Sequence, residues 1–339
     1  MAQLQPLPGF INDDFGGDAG LICAYQLAPG ARPRELLADA IVASLQREDA
    51  VTWLHFNLSD ARARRWLLQA HFVPQLLREV LERHDEDRCI ELTDTELLLV
   101  IGDFTFEDDS DPSEVATLWC FATPQRLITA RFHPLKSADE LRLRLRDGGA
   151  ARSGIDLLSQ LLALRAARLR RLAEDMTQLL DRVEDEILAG NIKQQREQLG
   201  RTRRLCARLR RQFMPERGDL NKFLHRPLEQ LAPADRDQLQ ECNDGLGFVL
   251  EEIAECYERA KLLQEELSSR VAENTGRNLY ALSILTAVLL PMTLVTGVFG
   301  MNVAGLPGMH DAGAFVRVMW LIVASGALTL AILFWKRLL

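Results

Sequence analysis

The amino-acid sequence predicts an α+β membrane protein with an N-terminal cytoplasmic α/β domain, a long helical stalk and two C-terminal transmembrane helices. Short β-branched and aromatic runs alternate with helical stretches early in the chain, apolar residues recur every three or four positions through the middle, and two long apolar runs stand at the C-terminal end. We therefore expect the α/β domain at 1–150, the long-helix stalk at 151–278 and the two-helix transmembrane domain at 279–339.

Charge is distributed unevenly along the 339 residues, whose formal net charge is −8. The charged residues after position 278 are Asp311, Arg317, Lys336 and Arg337. The tail is therefore +2, and residues 1–278 carry −10. This acidic balance argues against a nucleic-acid partner and is compatible with the handling of cations.

The first region predicts a mixed sheet with helices packed against it. The expected strands are Leu21–Leu27, Val51–Asn57, Cys89–Leu92, Leu97–Gly102, Thr117–Thr123 and Leu127–Phe132. The expected helices are Pro33–Gln46, Ala61–Gln69 and Pro74–Arg83. No GxGxxG follows a strand, and the chain contains no GxxxxGK[ST], HExxH or GxSxG. The sequence therefore predicts neither a nucleotide site nor an enzyme.

Long helices are predicted for the middle of the chain. Ser137 and Glu140 have the spacing of a capping box for a helix over Ala138–Arg146. Further helical patterns cover Gly154–Ala189, Asn191–Phe213 and Ala234–Phe299. Pro215, Gly218 and Pro227 predict a connection between the last two.

The last of these helices is rich in glutamate before it becomes apolar. The acidic residues are Glu251, Glu252, Glu255, Glu258, Glu265, Glu266 and Glu273. They are typical either of a vestibule that attracts cations or of the solvated face of an amphipathic helix whose basic partners include Arg259, Lys261 and Arg270.

The two apolar runs predict membrane spans. Leu279–Phe299 has 21 residues without a charge, and Phe315–Phe334 has 20 residues with Arg317 as the single charge. About 20 apolar residues cross the hydrocarbon of a bilayer, so we expect two spans joined by a loop at 300–314. The alternative is a pair of core helices in a soluble protein.

Basic residues at the ends of the spans predict the orientation. Arg270 and Arg277 precede the first span, Lys336 and Arg337 follow the second, and the loop at 300–314 contains no Lys or Arg. Lys and Arg concentrate on the cytoplasmic side of membrane proteins. We expect a multi-pass protein of the cell (inner) membrane, with both termini cytoplasmic and the loop outside.

The first span ends in Gly300-Met301-Asn302. This tripeptide, placed at the outer end of the first of two C-terminal spans, resembles the hallmark of the CorA family of divalent-cation transport proteins, and the resemblance covers the whole chain. Within that family the chain is most similar to the ZntB-type zinc transporters, because the loop reads Leu306-Pro307-Gly308, without the acidic residue typical of magnesium channels. The resemblance implies a homopentamer in which the first span lines a central pore.

The tripeptide is the candidate selectivity motif, with Asn302 as the metal contact through the hydrated ion. The neutral side chain of Asn302 offers a carbonyl oxygen to the water shell of a divalent cation, which sheds its water reluctantly. A ring of these side chains, one from each subunit, could hold the water shell without trapping the ion. Gly300 would let the backbones approach closely and expose their carbonyl groups.

One face of the first span is the candidate pore lining. Its residues are Leu279, Leu282, Thr286, Leu290 and Thr293, spaced 3, 4, 4 and 3 along the helix. Hydroxyl groups alternate there with apolar side chains, which suits a pore with wet stations and constrictions. The family's pore positions fall on these places. The alternative is that the threonine hydroxyls bond to helix carbonyls and pack against neighbouring helices.

The expected ligand is the transported ion rather than a cofactor. The resemblance implies movement of Zn²⁺, with proton-coupled uptake as an option. The first span has no Asp, Glu or His, so the titratable candidates at the outer mouth are His310 and Asp311. An exposed His310 without a role is the alternative.

Two further interpretations of the function remain open. The chain is either a Mg²⁺ or broad divalent-cation channel of the same family, or a membrane-anchored helical scaffold or metal sensor that transports nothing. Membrane lipids, divalent cations and further copies of the chain are the expected partners.

Overall fold

In the computed structural model of the chain, the described residues are 20–47, 49–70, 73, 75–83, 89–93, 96–106, 114–190, 195–226, 231–301 and 313–336. The chain forms two compact units that divide between Leu263 and Gln264. The domain boundaries near 150 and 278 stay predictions.

The first unit contains a seven-stranded mixed sheet. Its strands are β1 (Leu21–Leu27), β2 (Arg34–Glu35), β3 (Val51–Asn57), β4 (Cys89–Thr93), β5 (Glu96–Phe104), β6 (Val115–Ala122) and β7 (Arg126–Arg131). They lie in the order β2-β1-β3-β7-β6-β5-β4. β3 and β7 are parallel, and the other neighbouring strands are antiparallel. The mixed sheet expected from the sequence is confirmed, and each expected strand is observed to within two residues at either end.

The helices account for most of the remaining described residues. They are α1 (Ala38–Leu45), α2 (Ala61–Gln69), α3 (Gln75–Arg83), α4 (Lys136–Arg146), α5 (Gly154–Leu188), α6 (Gln195–Leu224), α7 (Pro233–Phe299) and α8 (Ala314–Trp335). Side chains of a strand alternate between its two faces, so Trp53 and Leu54 of β3 enter different cores. Leu54 packs with α1, α2 and α3, and Trp53 packs on the side of α4 and α5.

The helix expected over Pro33–Gln46 starts only at Ala38. Arg34 and Glu35 instead form a short edge strand, in which Glu35 pairs with Tyr25 of β1. The backbone N–H of Leu36 then donates to the carbonyl of Ala24 at 2.8 Å. Pairing with an existing sheet edge satisfies backbone groups that a first helical turn would leave open.

The predicted capping box at Ser137 is wrong. α4 starts at Lys136, and Ser137 lies inside its first turn and is fully buried. Asp103 of β5 accepts hydrogen bonds from the Ser137 backbone N–H at 3.1 Å and from its hydroxyl at 2.6 Å. A carboxylate from the sheet therefore does the work expected of a local cap. Burial raises the pKa of Asp103, and the hydrogen bonds from Ser137 oppose that rise.

The connection predicted at Pro215 and Gly218 is also wrong, because α6 continues through both residues. One face of the adjoining turns is buried, with Phe213, Glu216 and Leu220 on it. The packing of this face compensates for the backbone hydrogen bond that a proline inside a helix removes. Pro227 lies outside the described residues.

A buried ion pair joins α5 and α6 to the sheet. The Arg165 guanidinium donates to the Glu216 carboxylate at 2.5 Å and to the Gly102 carbonyl at 2.8 Å, and the Gly102 N–H donates to Glu216 at 2.7 Å. Glu216 and Arg165 therefore satisfy the backbone N–H and carbonyl of Gly102.

The second unit consists of the C-terminal part of α7 together with α8. The helix expected from Ala234 to Phe299 is confirmed as α7, and the second apolar run is confirmed as α8. Each contains an 18-residue window of mean hydropathy above 2, and almost none of the described residues in these windows is buried. Two helices in the core of a soluble protein would be buried, so that alternative is wrong.

Candidate functional site

One face of the C-terminal part of α7 lies towards α8. Its half-buried residues are Ile284, Ala287, Val288, Pro291, Met292 and Val295. Gly326 is the buried residue of α8, and a Cβ built on it would stand 1.8 Å from the terminal methyl carbon of Met292. The two helices therefore meet at Met292 and Gly326, where the missing side chain admits the methionine.

The candidate pore stripe lies on the other side of α7. Leu279, Leu282 and Leu290 are 59%, 58% and 67% exposed, and Thr286 and Thr293 are exposed as well. At 3.6 residues per turn, the centre of this stripe is about half a turn from the centre of the face towards α8. The stripe is thus free of contacts with α8.

The threonine hydroxyls of the stripe donate hydrogen bonds to backbone carbonyls of α7. Thr286 donates to the carbonyl of Leu282 at 2.8 Å, and Thr293 donates to the carbonyl of Leu289 at 2.9 Å. The bonds to helix carbonyls are one part of the alternative considered from the sequence; the other part, packing of these threonines against a neighbouring helix, is not seen among the described residues, where both threonines are exposed. Each hydroxyl oxygen still offers lone pairs to a further donor. The waters around a cation point their hydrogens outward, so an acceptor is what such a stripe must present.

The end of α7 has no room for a side chain at Gly300. The Gly300 N–H donates to the carbonyl of Thr296 at 2.9 Å, and a Cβ on Gly300 would approach the same oxygen to 2.9 Å. The Met301 N–H reaches the carbonyl of Val298 at 3.4 Å. The C-terminus of a helix carries a partial negative charge, which favours a cation nearby. Because a side chain at position 300 would crowd the Thr296 carbonyl, glycine allows the last turn of the helix to form its hydrogen bond.

Several predicted site residues lie outside the described residues. They are Asn302, Leu306, Pro307, Gly308, His310 and Asp311. Their roles remain predictions, as do those of the pore stripe.

The described residues do not form a conventional metal centre. No group of three His, Cys, Asp or Glu side chains within the described ranges is placed to hold a metal ion. His55 is buried in the sheet, with Nδ1 at 2.7 Å from the Thr129 hydroxyl and Nε2 accepting from Arg131 at 3.2 Å. Burial and the Arg131 charge lower the pKa of His55 to about 3, so this histidine stays neutral near pH 7. Its role is structural.

Sequence reasoning missed the contact between Met292 and Gly326. The signal was present in the run Ala324-Ser325-Gly326-Ala327, since small residues in a span mark a close helix contact. The run identifies a packing face on α8 but not the residue of α7 that fills it. Side-chain placement in the structure supplies that partner.

Comparison with known proteins places these features in a family. The family model described as "CorA-like Mg2+ transporter protein" matches residues 48–337. The divalent cation transporter CmaX of Pseudomonas aeruginosa is 29% identical over 303 residues, which cover 88% of this chain and 91% of that protein. The zinc transport protein ZntB of Yersinia enterocolitica is 25% identical over 317 residues, which cover 93% of this chain and 94% of that protein.

The solved structure of full-length CmaX superposes on the chain with a TM-score of 0.80 at 27% sequence identity, and the match covers 96% of this chain and 99% of that one. The match therefore includes the α/β domain, the long helices and the two apolar C-terminal helices. The chain belongs to the CorA family of divalent-cation transport proteins, which are membrane proteins and not enzymes.

Proposed function

We propose that the chain conducts Zn²⁺ across the cell inner membrane through the central pore of a homopentamer, with both termini in the cytoplasm. The observation that carries the proposal is the exposed stripe of α7, which lies opposite the face towards α8. Surrounding the stripe with copies of itself would hide it from lipid and enclose a passage. The family membership supports divalent-cation transport. The choice of Zn²⁺ as the ion and of a pentamer as the oligomer is part of the proposal.

The proposed passage handles the ion with its water shell. Thr286 and Thr293 would accept hydrogen bonds from the shell, and the rings of Leu282 and Leu290 would form constrictions. At the outer mouth, the helix C-termini that end at Phe299 would add partial negative charge. Asn302 would then select the hydrated ion through its carbonyl oxygen. No step in this passage requires the ion to lose its water to a protein ligand.

The preference for Zn²⁺ rests on two observations. The relatives include zinc transport proteins at about a quarter identity, and the loop has Gly308 where magnesium channels of the family typically carry an acid. A broad divalent cation channel is the second candidate, because the relative with 29% identity is named a divalent cation transporter without a stated ion. Proton coupling, if present, would involve His310 or Asp311 at the outer mouth.

The test is uptake of radioactive Zn²⁺ by proteoliposomes that contain the purified protein, with and without a pH gradient and with Mg²⁺ as competitor. We expect Zn²⁺ uptake that excess Mg²⁺ inhibits weakly, and an inward proton gradient should raise the rate if transport is proton-coupled. Equal competition by Mg²⁺ would favour the broad channel. Absence of flux from a folded oligomer would favour the scaffold or sensor.

Asn302→Ala is the matched variant. It should abolish transport or remove its selectivity and leave the oligomer intact, because the substitution removes an ion contact and no packing group is expected at that position. Size-exclusion chromatography with light scattering checks the oligomer in the same preparation. Parental flux and selectivity in an assembled Asn302→Ala protein would contradict the assignment of the selectivity motif.

A further inference from the structure

The helices α6 and α7 carry opposite charge although they belong to one bundle. α6 has nine Lys or Arg residues and three Asp or Glu residues over 195–224. α7 has eight Asp or Glu residues and three Lys or Arg residues over 233–263. The overall charge of −8 hides this contrast, which becomes visible only when each helix is considered by itself.

The positive charge of α6 concentrates on one exposed face. This arginine stripe consists of Arg201, Arg204, Arg208 and Arg211, spaced 3, 4 and 3. The buried residues of α6, among them Cys206, Leu209 and Phe213, lie on the opposite side of the helix. The stripe therefore faces away from the core that α6 shares with α5 and α7.

The negative charge of α7 concentrates in the same way. This glutamate stripe consists of Glu251, Glu255 and Glu258, bounded by Phe248 and Leu262, with spacings of 3, 4, 3 and 4 from Phe248 to Leu262. Phe248 is 66% exposed and Leu262 is 62% exposed. The buried residues of α7, such as Ile253 and Ala260, lie on the other side. The stripe thus combines like charges with two large apolar side chains in solvent.

Each stripe is neutralised only in part within the chain, because Arg201 pairs with Glu197 at 2.6 Å and Glu258 pairs with Lys261 at 4.0 Å. In the part of the chain that the structure describes, Arg204, Arg211, Glu251 and Glu255 make no ion pair. Like charges three or four residues apart on a helix destabilise it. An opposing stripe of the other sign would relieve this repulsion on both helices. The two stripes cannot meet within one chain, because each points away from the core between α6 and α7.

The two stripes lie at the same level along the bundle. The Arg217 guanidinium is beside Gly247, where an added Cβ would stand 2.6 Å from Arg217 Nη2, and the Arg203 guanidinium lies 5.5 Å from the centre of the Tyr257 ring. α6 therefore runs antiparallel to α7 between these two contacts. The arginine stripe consequently spans the same height as Glu251 and Glu255. A rotation about an axis parallel to α7 changes no height, so a copy related by that rotation presents its arginines level with these glutamates.

We propose that the arginine stripe on α6 of one copy docks on the glutamate stripe of α7 in the next copy around a ring. This inference rests on the homo-oligomer of the proposed function and specifies which surfaces join its subunits. The contact is heterologous, since each copy uses two different faces, and a heterologous contact forms a ring when its rotation closes. Phe248 and Leu262 become covered at the two ends of the stripe, and Arg side chains also bind aromatic rings through their faces. The glutamates of α7 are then interface residues rather than the wall of a vestibule.

The experiment uses the full-length protein in detergent and a charge swap. Arg204→Glu with Arg211→Glu, and separately Glu251→Arg with Glu255→Arg, should each weaken subunit association by on the order of tenfold. The four substitutions together should restore it, because the attraction returns with its direction reversed. Native mass spectrometry measures the oligomer. The parent's oligomer should also weaken between about 0.1 M and 1 M salt, as the Debye length falls from about 10 Å to about 3 Å.

The matched control is Arg171→Glu with Arg182→Glu on α5, which changes the same charge at two exposed positions outside the stripes. It should leave the oligomer unchanged. A second measurement tests contact directly: Arg208→Cys with Glu255→Cys should form a disulfide between subunits under mild oxidation and give a ladder of cross-linked chains. Circular dichroism confirms that each variant is folded.

The outcomes separate this inference from the proposed function. A folded parent that is monomeric in every condition removes the ring, and the interface with it. Oligomers that survive both double substitutions without loss overturn the interface and leave the ring in place. A loss of oligomer that the fourfold variant does not restore, or that the α5 control reproduces, also overturns it. If Arg204→Glu with Arg211→Glu lowers binding to anionic nanodiscs and leaves the oligomer unchanged, the stripe contacts lipid instead.

Discussion

The two units of this chain place their large apolar side chains differently. In the first unit, Trp53, Trp119 and Phe213 are at most 1% exposed. In the second, Leu290, Trp320 and Phe334 are 67%, 71% and 71% exposed. The first unit is stabilised by its own core. The exposed side chains of the second require lipid or further copies of the chain to cover them.

Because the first unit has a buried core and the second does not, we expect stability to depend mainly on the first unit and transport mainly on the second. A substitution in the core of the first unit should lower the free energy of unfolding and leave ion selectivity unchanged in the protein that remains folded. A substitution on the exposed stripe of α7 should change ion flux or selectivity and leave the free energy of unfolding nearly unchanged, since those side chains make few contacts within one chain. Each of the following changes tests one side of this division.

Glu216→Ala should have the largest effect on stability. It leaves the Arg165 guanidinium buried without its carboxylate partner, and breaking one half of a buried pair costs about 3–5 kcal/mol. The Gly102 N–H also loses its acceptor. Thermal unfolding followed by circular dichroism measures the loss, and ion selectivity of the surviving folded protein should equal the parent's.

The control breaks an exposed ion pair whose N···O distance, 2.6 Å, is close to that of the buried pair. Glu197→Ala removes the partner of Arg201 on the surface of α6, where an ion pair contributes about 0–1 kcal/mol. If both substitutions shift the unfolding temperature equally, the Arg165–Glu216 pair does not stabilise the junction of α5 and α6 with the sheet.

These stabilising features show what the sequence could and could not predict. Long runs such as Val51–Asn57 and Ala234–Phe299 were predicted to within a residue, because the first is a short unbroken apolar and β-branched run and the second keeps a helical spacing that passes into a long apolar run. The edge strand at Arg34 and Glu35 was missed, since two exposed residues carry no period. Asp103 and Ser137 meet only when β5 and α4 are side by side, so a local capping box was the wrong interpretation.

The candidate site was predictable to a different extent. The stripe from Leu279 to Thr293 follows from helical spacing, but spacing cannot say which face of α7 touches α8. The contact of Met292 with Gly326 identifies the face of α7 that lies against α8. The sequence pattern could not show this contact, because its two residues belong to different helices. The pairing of Arg165 with Glu216 was likewise hidden, since α6 was expected to end before Glu216. Contacts between side chains of different helices and strands could not be predicted from the spacing of residues within one element.

Gly326→Leu should have the next largest effect, within the second unit. The added side chain would occupy the place of Met292, whose terminal carbon is 1.8 Å from an ideal Cβ on Gly326, and overpacking costs about 1–3 kcal/mol. We expect a lower yield of assembled protein and a lower flux. Gly326→Ala is the control, because the flexible end of Met292 can move for one methyl group. Gly326→Leu combined with Met292→Ala should recover assembly; failure to recover would mean that the helices do not pack through this pair.

Gly308→Glu should change competition between ions by several-fold and leave stability unchanged. One carboxylate from each subunit would surround the outer mouth and raise the local concentration of divalent cations. We expect Mg²⁺ to compete better against Zn²⁺ and the flux to depend more steeply on ionic strength. Gly308→Gln, which adds the same length without charge, is the control. Unchanged competition and salt dependence in Gly308→Glu would show that the loop does not set selectivity.

Thr293→Val should have the smallest effect, and it tests which face of α7 meets the ion. The substitution keeps the shape of the side chain and removes the hydroxyl, together with its bond to the Leu289 carbonyl. A hydrogen bond between neutral groups contributes about 0.5–1.5 kcal/mol, so the loss of one acceptor along the stripe should lower Zn²⁺ flux by about two- to tenfold. Thr296→Val removes a hydroxyl that also bonds to the helix, in this case to the Thr293 carbonyl at 2.9 Å, but it lies to one side of the stripe and should change flux less. Both variants should unfold at the parent's temperature, since both side chains are exposed. If the two variants lower flux equally in assembled protein, the passage is not lined by the stripe from Leu279 to Thr293, and the face opposite α8 serves another contact.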